Sequence, residues 1–263
     1  MKSRIVIVLV IISTILLAGC KSTKEVNHLE KMRAANKAVV GTSADYPPFE
    51  YIDEEGNFAG FDIELMEEIV KRMGLKLEWQ DMPFDSLITA VQEGKIDMAI
   101  STFNYTEERA KLVDFSDPYY VTQDAFIVTS SFTGDFTKAE DAANFKVGVQ
   151  SGTVQDEWIT EELIGTGLMS EANLSRYERV DQAALDLKAG RIEILLADDV
   201  PAIALTNQFD DFKIILKDML YTGPLNIVLP KGSTELQTEV NRIIAELQAE
   251  GFVDDLAIKH FSD

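Results

Sequence analysis

An apolar run over residues 96–100 passes directly into the polar quartet Ser101-Thr102-Phe103-Asn104, and Thr106-Glu107-Glu108-Arg109 then opens a helical pattern. Strand, polar turn and helix in immediate succession, all within residues 94–120, are the unit of an α/β architecture and the place where such a fold presents an anion site. Thr106 is suited to the N-cap, which sets unpaired N–H groups and the positive end of the helix dipole beside Arg109. The planar Arg109 guanidinium matches a carboxylate with two parallel bonds, and Thr102 and Asn104 add a hydroxyl and an amide. Spacing alone equally allows Arg109 to pair with Glu107 or Asp114 on a solvated surface, where such pairs contribute little.

The same unit recurs along the chain. Residues 62–73 read as a helix with Phe61, Leu65, Met66, Ile69, Val70 and Met73 on one core face, followed by a strand at 75–79 and a helix at 84–93. Pro47-Pro48 excludes helix from the preceding segment, and Glu55-Gly56-Asn57 marks a hairpin turn. Further strands are expected at 124–129, 145–149, 177–180, 192–197 and 212–216, with helices at 182–189 and 201–208 between the later ones, and two helices, 234–249 and 252–261, close the chain. Alternating βα units predict mostly parallel sheets flanked by helices. Composition changes at 130–134 and 221–226 are the candidate crossings between two lobes, one formed by residues 38–129 and 225–263, the other by 130–224. Loops at 43–46, 101–104, 150–153 and 197–199 each follow an expected strand, so they would line one cleft from both sides.

At the N-terminus, Lys2 and Arg4 precede an apolar run over residues 5–17 and then Leu17-Ala18-Gly19-Cys20. A positive start, an apolar stretch too short to span a membrane and small residues before a cysteine predict a lipoprotein signal over residues 1–20, with Cys20 as the lipidated residue. Residues 21–37 are polar and read as a tether, briefly helical around 29–35. Cys20 is the only cysteine, which excludes an internal disulfide, a thiolate metal cluster and a cysteine nucleophile elsewhere. The formal charge of −21 becomes −23 without Lys2 and Arg4, a surface that repels nucleic acid.

Four stretches carry a resemblance: GFDIELMEEIVKRMG (60–74), FDSLITAVQEGKIDMAIS (84–101), TEERAKLVDFSDPYY (106–120) and VGVQSGT (147–153). Together, in order and spacing, they resemble the amino-acid-binding proteins that serve ABC importers, family 3 of the bacterial solute-binding proteins with the type II periplasmic-binding-protein fold. The resemblance spans roughly residues 38–262. It implies a monomeric, extracytoplasmic binding protein without cofactor or metal, which takes an amino acid into an interlobe cleft and passes it to a membrane permease.

The resemblance also implies roles. Arg109, Thr102 and Asn104 would hold the ligand α-carboxylate, with Thr153 and its neighbouring amides reaching it from the second lobe. Asp198 would take the α-ammonium, though it could instead cap the helix expected from Pro201. Tyr46 and Phe84 match aromatics that sandwich the ligand side chain, and Ser101 and Gln150 complete the expected set. Two positions depart from the family pattern. Many relatives that bind basic or amide side chains carry Asp where this chain has Ser43, and Asn104 replaces a more usual Thr or Ser, which leaves the side-chain class open. Asp45 or Glu50 could substitute as partners for a cation.

Two other functions share this fold. A few members are cyclohexadienyl or arogenate dehydratases with an acidic residue two positions after the second-lobe threonine, where this chain has Gln155, a group that cannot act as a general acid. With His28 and His260 as the only histidines, a histidine-based triad is not expected either. The other is a sensory module, which is usually fused to a transmembrane helix and a signalling domain.

Overall fold

The structure is a computed structural model that describes residues 27–262 except 219, 221 and 222. The expected signal and Cys20 lie outside the described residues. Strand β1 (Lys37–Thr42) lies between β5 (Lys76–Asp81) and β6 (Met98–Asn104), parallel to both. The intervening helices α2 (Phe61–Arg72) and α3 (Phe84–Gln92) provide the crossovers. The six residues expected on one face of the first of these are all buried. Strand β14 (Pro224–Pro230) extends this first sheet antiparallel to β6 and itself pairs with β7 (Val113–Phe115) and β8 (Tyr120–Val121).

The second sheet repeats the scheme, with β10 (Val147–Gln150) parallel to β11 (Leu174–Tyr177) and β12 (Ile194–Asp198). Strand β9 (Asp124–Thr129) joins it antiparallel to β12 and to β13 (Phe212–Asp218). Helices α6 (Val180–Lys188) and α7 (Asp199–Gln208) flank it. Two lobes result, each with a parallel βα core extended by antiparallel strands.

Several boundaries move. Strand β9 belongs to the second sheet, so the first crossing runs through Thr122-Gln123 and not through 130–134, where apolar content falls only after the crossing strand has ended. Of the second expected crossing, 221–226, residues 224–226 already belong to β14 in the first sheet, where Pro224 pairs with Val121, and 221 and 222 lie outside the described residues. The strand expected at 177–180 lies at Leu174–Tyr177, and Val180 is the first helical residue of α6.

The expected tether is shorter than residues 21–37. Helix α1 (His28–Ala35) is capped by Asn27, whose side chain accepts from Glu30 N–H, and it ends on Asn36 in the left-handed conformation. Leu29 and Met32 are buried in the core cluster, and their helix packs on the helix over Thr234–Ala249. Two apolar anchors in eight residues suffice for docking but make a weak periodic signal. The closing helices α8 (Thr234–Ala249) and α9 (Phe252–Phe261) fall where expected, and Phe261 packs on Phe49 and Phe61 at ring-centre distances of 4.8 and 4.9 Å.

That aromatic cluster anchors the loop that carries Tyr46 and Glu50. Pro48 and Phe49 carbonyls accept from the Phe61 and Asp62 N–H groups at the start of α2. Gly60 makes this approach possible: its φ is 123°, and a Cβ there would lie 2.2 Å from the Phe49 carbonyl oxygen. Short strands β2 (Asp45–Tyr46), β3 (Glu50–Ile52) and β4 (Phe58–Ala59) form a small antiparallel flap from the same segment.

If α1 belongs to the folded body, Met32→Ala costs about 2–5 kcal/mol of stability. Denaturant unfolding checks this, and a change near zero would return the segment to the tether.

Candidate ligand-binding site

The polar quartet is not a turn. Strand β6 runs through Asn104 with every residue buried, and a register irregularity opposite β14 accompanies Thr102, whose φ is +53°. A β-branched residue in the left-handed region is rare, so surrounding contacts must impose it. Thr102 N–H donates to Asp62 Oδ2 at 2.9 Å, and its hydroxyl lies 3.1 Å from Glu50 Oε2. Ser101 Oγ donates to Glu50 Oε1 at 2.7 Å and accepts from Ser43 N–H at 3.1 Å. The strand end is thus fixed on two buried carboxyl groups.

Helix α4 (Glu107–Ala110) is a single turn, so its dipole adds less than the sequence pattern promises. Thr106 is its N-cap and accepts from Arg109 N–H at 3.2 Å. Arg109 does not form the surface pair with Glu107 or Asp114. It is 8% exposed and donates through its two terminal nitrogens to the carbonyls of Asn104 and Gly152, each at 2.8 Å. Its guanidinium carbon lies 5.6 Å from the Phe84 ring centre and 5.5 Å from that of Phe103. Burial lowers its pKa to about 10, which leaves it cationic at neutral pH. Among the described residues no carboxylate lies within ion-pair distance of it.

Asp198 ends β12 and is the N-cap residue of α7, yet its side chain makes no capping bond. The carboxylate turns inward, accepting from Thr122 Oγ1 at 2.6 Å and Tyr46 Oη at 2.8 Å, while Tyr46 Oη accepts from Asp198 N–H at 2.7 Å. Burial, with Asp124 nearby, raises its pKa to about 7. Gln155 lies alongside, donating to Asp124 at 2.8 Å and to Asp198 at 3.4 Å. Asp199 instead accepts from Gln123 N–H and pairs with Lys217.

All nine residues expected at the site, Tyr46, Phe84, Ser101, Thr102, Asn104, Arg109, Gln150, Thr153 and Asp198, line one cavity between the lobes. Glu50, Val154 and Gln155 complete its wall. Glu50 is harder to read from sequence, since a carboxylate in a flap strand resembles a surface residue. Its neighbours also limit some of the expected roles. The Thr153 hydroxyl donates to the Gln150 carbonyl at 2.8 Å and caps helix α5 (Val154–Trp158), so its backbone is the freer group. Phe84 stacks on Phe103 at 4.4 Å and on Arg109, which makes it support for the guanidinium as well as wall.

The lobes are closed over this cavity. Arg179 pairs with Asp81 through two bonds of 2.9 and 3.0 Å, and Asp45 accepts from Val180 N–H at 2.6 Å and from Gln150 at 3.2 Å. Ser151 donates to Asp85 at 3.2 Å. The remaining space is about 10 Å³, roughly one water.

Three comparisons bear on this geometry. The model of the bacterial extracellular solute-binding proteins, family 3, matches residues 38–263. The chain belongs to that family. This family-3 protein is 31% identical to the arginine-binding extracellular protein ArtP of Bacillus subtilis over 263 residues, covering 100% of this chain and 99% of that protein. It is 27% identical to the L-cystine-binding protein TcyJ of Escherichia coli over 254 residues, covering 95% and 93%. Among solved structures, a mutant of ArgBP from T. maritima superposes with a TM-score of 0.83 at 34% identity, covering 90% of this family-3 chain and 100% of that one. None of its described helices is long and apolar enough to cross a membrane.

Burial raises Asp62 above its ordinary 3.8 and raises the neighbouring Glu50 with it, so the folded pair holds protons that the unfolded chain has released. Stability from this pair therefore falls as pH rises from about 4 through about 7. Asp62→Asn mimics the protonated form. In thermal melts its stability relative to the parent should rise across that window, and a gap that does not change with pH would contradict the assignment.

Proposed function

We propose that the chain captures an amino acid in the interlobe cavity and delivers it to an ABC importer. The observation that carries this function is the opposition of Arg109, from the first lobe, and Asp198, from the second, in one desolvated cavity. A zwitterion supplies the complementary pair, a carboxylate for the guanidinium and an ammonium for the carboxylate. In the closed form the Gly152 carbonyl faces Arg109, and the ligand carboxylate would take its place, exchanging a dipole for a full charge. The Asp198 carboxylate, held near neutrality by burial, would ionise fully against the ammonium.

Capture proceeds by hinge closure. The ligand docks on the Arg109 side while the cleft is open, and Asp198 and the Thr153 amide engage as the second lobe closes, so differential affinity for the closed form drives the equilibrium. The passage between the sheets at Thr122-Gln123 would serve as one hinge. A permease would recognise the closed pair of lobes. Cys20, preceded by Leu17-Ala18-Gly19, would hold the protein at the outer face of the membrane by its lipid, with the residues ahead of α1 as the tether.

Relatives are named for arginine, cystine and histidine, so kinship supports an amino acid without selecting a side chain. One structural relative, 30% identical, is an ancestral amino-acid-binding protein described as a precursor of cyclohexadienyl dehydratase. Here Gln155 brings an amide to that part of the wall, and binding without turnover is the function favoured.

Arg109→Ala tests the proposal. In calorimetry against the twenty amino acids, the parent should bind at least one, and the variant should lose about 100-fold or more of that affinity, as expected when one partner of a buried charge pair is removed. An Arg109→Ala protein that folds and binds like the parent would refute it.

A further inference from the structure

Given the amino-acid capture proposed above, on which this rests, we infer that Asp124, behind the cavity wall, is a positioning residue for the ammonium end of the site. It holds the Gln155 amide across the Asp198 carboxylate and sets the charge that an arriving ammonium meets. Strand register brings the two carboxylates together. Asp124 opens β9, straight after Thr122-Gln123, and stands directly opposite Asp198 on β12, on the same face of the sheet. Both are buried, at 6% exposure each. Like charges that face each other across two strands repel, and Lys217, a cation of the strand beyond β9, is taken by Asp199 at 3.3 Å. A single amide comes between the two carboxylates instead. Gln155, in the cavity wall, donates through Nε2 to Asp124 Oδ1 at 2.8 Å and reaches Asp198 Oδ2 at 3.4 Å. The shorter bond fixes the amide, and the longer one is what remains for Asp198. The other Asp124 oxygen accepts from Leu220 N–H at 3.0 Å, in the stretch between β13 and β14. Both of its oxygens are thus engaged, one toward the cavity and one toward the chain that returns to the first sheet.

This arrangement ties capture to a proton. The Asp198 carboxyl is raised to about 7, first by burial and next by Asp124 opposite it. The other groups that bear on the pair are Asp199 from α7, Asp218 from β13 and, from the first lobe, Asp62, Tyr46 and Tyr119. All of these are acids, while the Tyr46 and Thr122 hydroxyls stabilise the Asp198 anion by hydrogen bonds. An ammonium pairs only with the ionised carboxylate. When the amino acid arrives below about pH 7, the proton on Asp198 leaves for solvent and the ion pair forms in its place. Affinity therefore rises with pH up to about 7 and levels off above it. Removing the Asp124 charge lets Asp198 ionise at lower pH. Removing the Gln155 amide leaves the two carboxyl groups facing each other and has the opposite effect. A residue that only supported the fold would weaken binding alike at every pH.

Titration calorimetry with the amino acid that the parent binds most tightly, run from about pH 5 to about pH 8, tests this with three variants. Asp62 titrates near the same pH, so the variants, and not the parent profile, isolate Asp198. Asp124→Asn should move the rise in affinity to lower pH by at least about half a unit, which makes its loss of affinity between about pH 8 and about pH 6 roughly threefold smaller than the parent's. Gln155→Met, of similar volume, should move the rise to higher pH. Asp218→Asn, next in the same row of strand partners but exposed, should leave it in place. A profile that stays where it is in Asp124→Asn, or that shifts as far in Asp218→Asn, overturns the role of Asp124 while leaving amino-acid capture intact. Should a thermal melt show that Asp124→Asn does not fold, Gln155→Met decides alone: a rise at higher pH supports the role, and an unmoved or lower one overturns it. A blank across all twenty amino acids at every pH removes capture itself, and the role of Asp124 with it.

Discussion

A buried guanidinium that makes no ion pair, with Glu157 acting on it only from beyond contact distance, is the constraint from which the rest of the site follows. Arg109 is a full charge in a place that excludes water, and two backbone carbonyls are its hydrogen-bonding partners. Carbonyl dipoles and the faces of Phe84 and Phe103 offset part of the desolvation cost, the ring contacts at about 0.5–2 kcal/mol each. They cannot match an anion in a low-dielectric site. On the proposed reading the carboxylate partner of this charge is the ligand's, and one of its two carbonyl partners, Gly152, belongs to the opposite lobe.

The local structure around this charge is arranged to hold it still. Thr106 caps the single turn that carries Arg109, and Thr102 sits in a left-handed conformation pinned by Asp62 and Glu50. Across the cleft, Asp198 mirrors the problem with the opposite sign: a carboxylate buried near Asp124, held by hydroxyls and an amide, with its pKa raised. Tyr46 ties the two lobes by exchanging hydrogen bonds with Asp198. The Arg179–Asp81–Asp45 rim joins the lobes in the same conformation that brings the two charges to one cavity.

Much of this was legible in the sequence, and the failures have physical reasons. The helices with a continuous apolar face, α2, α8 and α9, announce themselves because burial of one stripe sets their period. The four stretches expected as loops converge on one cavity as strand ends and the segments after them, because strand ends in an α/β sheet share an edge. The apolar run of strand β9 fits either sheet, and only its pairing partner decides which. The brief helix expected around 29–35 is present as α1; its docking on the body is not legible because Leu29 and Met32 are its only buried residues. The direction of the Asp198 side chain was open as well: a residue at a strand end before a helix can cap, and it is Tyr46 and Thr122, distant in sequence, that draw it inward.

A crystal structure of the protein with its tightest-binding amino acid measures the central claim most directly. The account predicts two nitrogens of the Arg109 guanidinium on the ligand carboxylate at about 2.8 Å, the Gly152 carbonyl displaced from it, and Asp198 on the ligand ammonium. A complex in which Arg109 keeps its bond to Gly152 and the amino acid lies elsewhere would contradict it.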